Sequence, residues 1–328
     1  MRPLSMLHCS MQKYSKMKGG SMKGIILAVG SNHLFYPMDK VAPKYLLPVY
    51  DKPMIYYPLA TLMVAGIRDV LVICTPENGS TIAQVLSNGD QLGMRISYAT
   101  IDKPMGIGKI LLSADSFIKG QCVTLILGDS IYIGKSIFSS LPSYVQKIEK
   151  DGGSLIIGST ENQPHNCGVI ELDAEGKIKT IDLKPVSTNQ KSNICMTGLF
   201  FFDNSVIEYS KRTLHSNQDE YEIIDLERQY LNDKKLNWVM LDNDSSWINI
   251  SDFSSMNEIS NIIQELQIRH AKTIACIEEI AFLNGWISKS ELSSLCPSVY
   301  DGHDTSIFQN HVKSQKINMY HLSILEPL

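Results

Sequence analysis

Apolar runs of strand length alternate with helix-like segments through the first two thirds of this 328-residue chain. Such alternation predicts an α/β fold with a doubly wound, mostly parallel sheet and helices on both faces. Ligands on such sheets bind beyond the carboxyl ends of the strands. We expect strands at residues 24–28, 69–74, 95–99 and 123–127, with helices at 54–65, 81–86 and 109–117 between them.

The chain becomes richer in strands after residue 153 and loses its periodicity near residue 296. We expect strands at 154–159, 168–172, 178–182 and 197–203, a hairpin turn at 174–177, and helices at 220–230 and 254–279. The predicted divisions are a disordered basic extension (1–21), an α/β domain (22–253), a C-terminal helical segment (254–295) and an irregular tail (296–328).

Charge and hydropathy exclude two classes of partner. A net charge of −4 and a pI near 6.1 argue against a general nucleic-acid-binding surface. No apolar run reaches the roughly 18 residues that span a bilayer, so we expect a cytoplasmic protein with no membrane partner. Residues 1–21 are basic and lack the apolar core of a secretory signal. We interpret them as a disordered extension or as sequence upstream of a start at Met22; a transit peptide is the weaker alternative.

The cysteines are odd in number and include no Cys-x-x-Cys pair. Several lie in apolar strand-like runs, which favours buried free thiols in a reducing compartment over disulfides or a metal site. The seven are Cys9, Cys74, Cys122, Cys167, Cys195, Cys276 and Cys296.

The turn after the first predicted strand resembles a phosphate-binding loop in position but not in composition. Backbone N–H groups of such a loop can face an anion. This turn, residues 29–37, keeps Gly30 and Ser31 but has a single glycine and no arginine. The segment Gly128-Asp129-Ser130 falls at the same predicted edge of the sheet.

The order of segments from Met22 to about Leu295 resembles the glucose-1-phosphate thymidylyltransferases, the short bacterial type of the sugar-nucleotidyltransferase family. The closest stretch is 45–76, and further matches lie at 127–129, 167–171, 184–185, 197–203 and 276–282. The resemblance implies a Rossmann-like nucleotide-binding sheet with a β-rich sugar-binding extension and C-terminal helices. It also implies transfer of a nucleotidyl group from dTTP to glucose 1-phosphate, giving dTDP-glucose and pyrophosphate with the help of Mg²⁺.

The same resemblance assigns roles to individual positions. Lys44 and Lys184 match lysines that act on phosphates, and Asp129 matches a carboxylate that holds Mg²⁺. The implied nucleotide-binding residues are Gly30, Ser31, Gly106 and Asp129, and the implied sugar-binding residues are Gly168, Lys184, Glu222 and Trp247.

The chain departs from the family where charge is needed. Leu34 stands at the position of the catalytic arginine, and leucine cannot imitate a bidentate phosphate clamp. Asn249 stands at the position of the second metal-binding aspartate and offers only a neutral carbonyl. Further changes occupy ligand-facing positions: Val29, Asn32, His33, Ile101, Gly106-Ile107-Gly108-Lys109, Cys167 and Leu183.

Each retained residue also has a structural interpretation. Lys44 fits a solvated loop lysine, and Asp129 a cap of the following turn. Glu222 fits a helix-surface carboxylate, Trp247 core packing and His33 an exposed loop histidine.

We therefore favour a non-catalytic relative that binds a nucleotide or dTDP-sugar at reduced affinity and forms a homo-oligomer or a mixed oligomer with an active paralogue. The alternative is an active nucleotidyltransferase with altered specificity, in which His33 partly substitutes for the arginine. A dinucleotide-binding enzyme has little support because the loop lacks Gly-x-Gly-x-x-Gly.

Overall fold

The computed structural model describes residues 22–30, 33–102, 105–161, 167–183, 192–213, 222–270 and 272–295. Its strands are β1 Lys23–Ala28, β2 Pro48–Val49, β3 Lys52–Pro53, β4 Asp69–Cys74, β5 Arg95–Thr100, β6 Val123–Leu127, β7 Ser130–Gly134, β8 Ser154–Thr160, β9 Gly168–Leu172, β10 Ile178–Leu183, β11 Ile194–Phe202, β12 Leu236–Met240 and β13 Ser245–Asn249. Its helices are α1 Tyr56–Val64, α2 Pro76–Leu86, α3 Ile107–Ser113, α4 Asp115–Ile118, α5 Lys135–Asp151, α6 Val206–Thr213, α7 Glu222–Asn232, α8 Phe253–His270, α9 Ile277–Leu283 and α10 Lys289–Leu295.

A mixed sheet built on parallel strands forms the centre of the protein. Strand β1 pairs in parallel with β4 and β6, and β4 pairs in parallel with β5. Strand β11 joins β6 in antiparallel orientation and extends the sheet toward β8, β9 and β10. This arrangement confirms the predicted α/β class and places the ends of β1 and β6 at one edge, where Leu27 lies opposite Leu127.

Both faces of the sheet are covered, as expected for a doubly wound fold. Side chains alternate along β1, so that Ile26 and Ala28 enter one apolar cluster while Ile25 and Leu27 enter the other. All four are at most 6% exposed. The first cluster includes residues of α1, α2, α5, α8 and α9, and the second includes residues of α3, α6 and α7.

A small antiparallel pair lies beside the carboxyl ends of the central strands. Strand β7 begins immediately after Asp129, and its partner β13 aligns Asn249 with Ser130 and Trp247 with Tyr132. The sequence analysis did not predict β7 or β13. Their pairing brings two distant parts of the chain together at the edge where ligands are expected.

The structure corrects several predicted elements. Helix α2 begins at Pro76, five residues before the predicted start, because proline suits the first helical turn. The predicted helix 254–279 is two helices, α8 and α9, and Ala275 between them has a left-handed φ of 54° that no helix continues through. Helix α5 was not predicted, whereas the hairpin turn at 174–177 is confirmed between antiparallel β9 and β10.

The expectation that all cysteines are free thiols is wrong for one pair. Cys167 and Cys195 form a disulfide with a Cα–Cα distance of 5.8 Å. Strands β9 and β11 pair here, with Cys195 opposite Val169, and this pairing brings the two cysteines within bonding reach. Cys74, Cys122 and Cys276 are free.

The predicted extension 1–21 and the tail 296–328 lie outside the described residues. In the part of the chain that is described, no helix is both long and apolar enough to cross a membrane.

Glu227 of α7 is fully buried, and its burial has a consequence for pH. Ser154 Oγ donates a 2.8 Å hydrogen bond to Glu227 Oε2, while Oε1 has no hydrogen-bond partner among the described residues. Desolvation raises the pKa of this carboxyl to about 8. The folded protein therefore holds a proton that the unfolded chain releases above its ordinary pKa of 4.5.

We predict that the free energy of unfolding falls as pH rises from 5 to 8, by about 2–4 kcal/mol more in the wild type than in Glu227→Gln. The glutamine resembles the protonated acid in shape and does not titrate. Urea denaturation of both proteins at several pH values measures the difference. Parallel pH profiles for the two proteins would show that Glu227 does not titrate in this window.

Candidate active site

Tyr45 fixes the backbone that follows β1. Its hydroxyl donates a 2.8 Å hydrogen bond to the carbonyl of Val29. A Cβ added at Gly30 would lie 3.2 Å from the Tyr45 hydroxyl oxygen. The ring also packs so closely on Gly128 that a Cβ there would approach it to 2.9 Å. Burial, and then the nearby Asp129 carboxylate, raise the pKa of Tyr45 well above its ordinary value, so the phenol stays a neutral donor. Tyr45 therefore links the loop after β1 to the end of β6.

Lys44, one residue earlier, forms an ion pair with Asp129. The distance from Lys44 Nζ to Asp129 Oδ2 is 2.6 Å, and the two side chains are 6% and 19% exposed. The ammonium also lies 5.4 Å from the ring centroid of Phe35 and 5.8 Å from that of Tyr45. Both surroundings favour the cation. The predicted phosphate-binding lysine thus contacts the predicted metal-binding carboxylate directly, and the solvated-loop interpretation of Lys44 is wrong.

The β7–β13 pair brings Asn249 and Trp247 to the same place. Asn249 lies opposite Ser130, and the amide of Ile250 donates a 2.9 Å hydrogen bond to the carbonyl of Asp129. Trp247 is partly buried, and its Nε1 donates to Ser130 Oγ at 3.3 Å. Asn249 is exposed. The position matched to the second metal-binding aspartate therefore does lie beside Asp129, but its side chain is neutral.

Leu34, which the resemblance matches to the family's arginine, is exposed to solvent. It lies in a short 3₁₀ turn, His33–Phe35, and is 64% exposed. The next residue, Phe35, is fully buried, with its ring centroid 5.3 Å from that of Phe253 in an edge-to-face contact. The aromatic contact thus anchors this turn while an apolar side chain occupies its open face.

The other predicted residues lie elsewhere along the same side of the sheet. Gly106 is buried and precedes α3. Gly168 begins β9, where a Cβ would lie 2.6 Å from the Met196 methyl, so a larger residue there would displace the end of that side chain. Ile101 is buried just after β5, with its amide bonded to the carbonyl of Cys74.

Some predicted residues lie outside the described part of the chain or are described by their backbone alone. Ser31, Asn32 and Lys184 lie outside the described residues. For His33, Leu183 and Glu222 the structure describes the backbone only, with Glu222 as the first residue of α7.

The described residues do not fit a family-like magnesium site. Mg²⁺ favours several oxygen ligands that include carboxylates. Asp129 is the carboxylate at this position, and the Lys44 ammonium already balances its charge. Nowhere in the described ranges do three or more His, Cys, Asp or Glu side chains form a group that could hold a metal ion.

Sequence analysis overlooked Tyr45 and Phe35. An aromatic residue directly after the candidate lysine was a visible signal, but its contact with Gly128 depends on the tertiary fold. Phe35 is adjacent to Leu34 in the altered loop, and only its packing on Phe253 explains why that turn keeps its place.

Comparison with known proteins places this geometry in a family. The profile described as Nucleotidyl transferase matches residues 23–265. The chain belongs to this family. It is 40% identical over 273 residues to a glucose-1-phosphate thymidylyltransferase of Neisseria gonorrhoeae, covering 83% of this chain and 93% of that protein. It is 38% identical over 271 residues to the one from Mycobacterium tuberculosis, covering 83% and 92%.

Solved structures agree with the fold. A Bacillus anthracis protein assigned as a glucose-1-phosphate thymidylyltransferase, crystallised with sucrose, superimposes with a TM-score of 0.67 at 29% identity. The alignment covers 74% of this chain and 94% of that one. A UDP-glucose pyrophosphorylase bound to UDP-glucose superimposes with a TM-score of 0.64, and the alignment covers 74% of this chain and 98% of that one. At 20% identity this likeness supports the fold alone.

We predict a coupling energy of about 1–3 kcal/mol between Lys44 and Asp129 in a double-mutant cycle of Lys44→Met and Asp129→Asn. Each single change leaves one poorly solvated charge without its partner. Urea denaturation of the four proteins measures the coupling.

The control is the exposed pair Lys177–Glu175, whose side chains are 74% and 72% exposed at an N–O distance of 2.8 Å. Lys177→Met and Glu175→Gln should couple by less than about 1 kcal/mol. Equal coupling at the two sites would refute the special status of Lys44–Asp129.

Proposed function

We propose that this chain is a catalytically impaired relative of the glucose-1-phosphate thymidylyltransferases that binds nucleotide or dTDP-sugar, or assembles with an active paralogue. The observation that carries this proposal is the ion pair between Lys44 and Asp129. Nucleotidyl transfer builds negative charge on the phosphates, and cations placed in advance must stabilise it. Here the buried ammonium is already neutralised by its partner.

The surrounding positions do not replace the missing charge. Leu34 is apolar and exposed, and Asn249 is neutral. Leucine donates no hydrogen bond, and an amide binds Mg²⁺ less strongly than a carboxylate does. A triphosphate entering this edge would have to break the Lys44–Asp129 pair and would then leave Asp129 as an unbalanced anion beside it. Both costs oppose the family reaction.

A binding role needs less charge than catalysis. Trp247 is partly buried at the edge, and its aromatic ring is a candidate contact for a sugar or base, while Gly168 lies at the start of β9. Lys184 and Glu222 remain in the sequence as further candidates for phosphate and sugar hydroxyls. We propose dTDP-sugars as the ligand class because their diphosphate carries less charge than a triphosphate.

The proposed assembly role is supported by the core packing that the chain shares with the family it resembles. The core around α1 is continuous, and the segment 45–76 that most resembles the family packs into it. We propose a homo-oligomer, or a mixed oligomer with an active paralogue, in the cytoplasm. Native mass spectrometry of the protein alone and after co-expression with such a paralogue tests this part.

The second candidate is an active nucleotidyltransferase with altered substrates. It is favoured by 40% identity to a curated relative over most of both chains and by the retention of Lys44, Asp129 and Trp247. In this case Asp129 would be the residue that holds Mg²⁺, and the ion would supply positive charge to the substrate phosphates.

We predict that pyrophosphate release from dTTP and glucose 1-phosphate is about 10²–10⁵-fold slower than for an ordinary family member. The combined variant Val29→Gly, Asn32→Gly, Leu34→Arg and Asn249→Asp should gain more than about tenfold over each single change, because the lost groups act together. A coupled pyrophosphate assay with each nucleoside triphosphate measures the rates.

Val41→Arg is the matched control, because it adds a cation on the same segment at a side chain that is 76% exposed. It should leave the rate unchanged. Turnover of the natural chain within tenfold of an ordinary enzyme would instead establish the second candidate.

We predict that dTDP-glucose binds with nearly the same affinity with and without Mg²⁺, because the candidate site offers no vacant carboxylate pair. Calorimetric titration with dTDP-glucose, dTDP-rhamnose and dTTP measures this. A tenfold or greater gain in affinity with Mg²⁺ would contradict the account, and no binding of any of the three would leave assembly as the proposed role.

A further inference from the structure

The disulfide between Cys167 and Cys195 joins strands that have few other connections at this point. Strands β9 and β11 align at two pairs, Ile194 with Ile170 and Cys195 with Val169, and Ser192 Oγ donates a 2.6 Å hydrogen bond to the carbonyl of Ile170. Strand β11 also pairs with β8, where Cys195 lies opposite Ser159, and that ladder is irregular between Met196 and Phe200. Because the ladder between β9 and β11 is short, a covalent link adds a further constraint to these hydrogen bonds.

The same link lies next to residues of the candidate sugar-binding region. Cys167 directly precedes Gly168, and Gly168 aligns with Leu183 at the end of β10. Lys184, the second candidate phosphate-binding lysine, follows Leu183 in the sequence. The disulfide therefore lies at the end of β9 that pairs with the end of β10.

The two cysteines differ in exposure, and a reversible link requires at least one of them to be accessible. Cys195 is fully buried, whereas Cys167 is partly exposed. We therefore expect a thiolate from solvent to attack at Cys167 rather than at Cys195. The other described cysteines, Cys74, Cys122 and Cys276, are free thiols. The described residues therefore differ from those of small secreted proteins, in which most cysteines form structural disulfides.

We propose that Cys167 and Cys195 are a redox modification site, a reversible dithiol–disulfide pair that controls how the start of β9 is held against β11. The oxidised state joins these two strands covalently, and the reduced state leaves them joined by hydrogen bonds alone. The consequence for ligand affinity rests on the proposed binding of dTDP-sugars, whereas the redox step and its effect on the strands do not.

The chemistry balances with a small-molecule disulfide such as oxidised glutathione. The Cys167 thiolate attacks one glutathione sulfur, forms a mixed disulfide and releases one glutathione thiolate. Cys195 loses its proton to solvent and its sulfur attacks Cys167, which forms the protein disulfide and releases the second glutathione. Two protein thiols are oxidised and one glutathione disulfide is reduced.

The first test follows the bond itself in the full-length protein. The native protein is equilibrated in glutathione buffers from fully reduced to fully oxidised, alkylated, digested and analysed by mass spectrometry. We expect the peptides of Cys167 and Cys195 to become linked and unlinked reversibly while Cys74, Cys122 and Cys276 stay alkylatable after unfolding. A pair that stays linked in reduced buffer, or that never links in oxidised buffer, overturns the proposal.

The second test follows the strands by hydrogen exchange of the oxidised and reduced protein. Amides at 168–172 and 192–196 should exchange at least about tenfold more slowly in the oxidised state, because opening of the strand ends is restricted. Cys167→Ser should behave like the reduced protein in both buffers. Cys122→Ser, which removes a partly exposed free thiol, should respond like the wild type. Equal exchange in the two redox states overturns control of the strands.

Calorimetry with dTDP-glucose then separates this inference from the proposed function. We expect roughly threefold to tenfold different affinities in the two states. Equal measurable affinities overturn control of binding. If neither state binds, the proposed ligand is wrong, and the first two tests still decide whether the pair is a redox site.

Discussion

The ion pair of Lys44 with Asp129 is the interaction on which the candidate site depends. It joins the segment after β1 to the end of β6, and the rings of Phe35 and Tyr45 lie beside the ammonium. A lysine with this little exposure is stable only when a partner compensates its lost hydration. The carboxylate that compensates it belongs to Asp129, which the resemblance matches to the family's metal ligand. The same contact therefore stabilises the buried lysine and engages the carboxylate proposed for metal binding.

The chain has the family's fold, and the loop after β1 is held by contacts within the protein. Tyr45 stabilises the loop through the carbonyl of Val29, a contact within the protein that needs no bound phosphate. Phe35 anchors the next turn against Phe253. In the described part of the loop, aromatic packing and the hydrogen bond from Tyr45 hold the backbone, and Leu34 lies on the exposed face.

Local pattern was sufficient to predict the central strands, because residues such as Ile25 and Ile26 lie in uninterrupted apolar runs. It did not predict β13, whose residues are only partly buried and whose pairing with β7 forms across more than a hundred residues of sequence. The helix at 254–279 was predicted as one because apolar spacing continues through the break at Ala275, where only the backbone conformation changes.

In the candidate site, too, some features were predictable from the sequence and others depend on the tertiary fold. Proximity of Asp129 to Asn249 followed from the resemblance, whereas the bond from Lys44 to Asp129 and the contact of Tyr45 with Gly128 required the fold. The cysteines were misjudged because composition says nothing about which strands are neighbours. Cys167 and Cys195 are 28 residues apart in sequence and meet only because β9 pairs with β11.

We propose, as the central claim, that the Lys44–Asp129 pair prevents Asp129 from binding a nucleotide-bound divalent cation. Electron paramagnetic resonance of Mn²⁺ titrated into the protein with dTTP tests it most directly, with Asp129→Asn as the comparison. The account predicts that the wild type binds Mn²⁺–dTTP no more tightly than Asp129→Asn does, with the Mn²⁺ signal resembling that of the nucleotide complex in solution. A tight ternary complex that is lost in Asp129→Asn would contradict it.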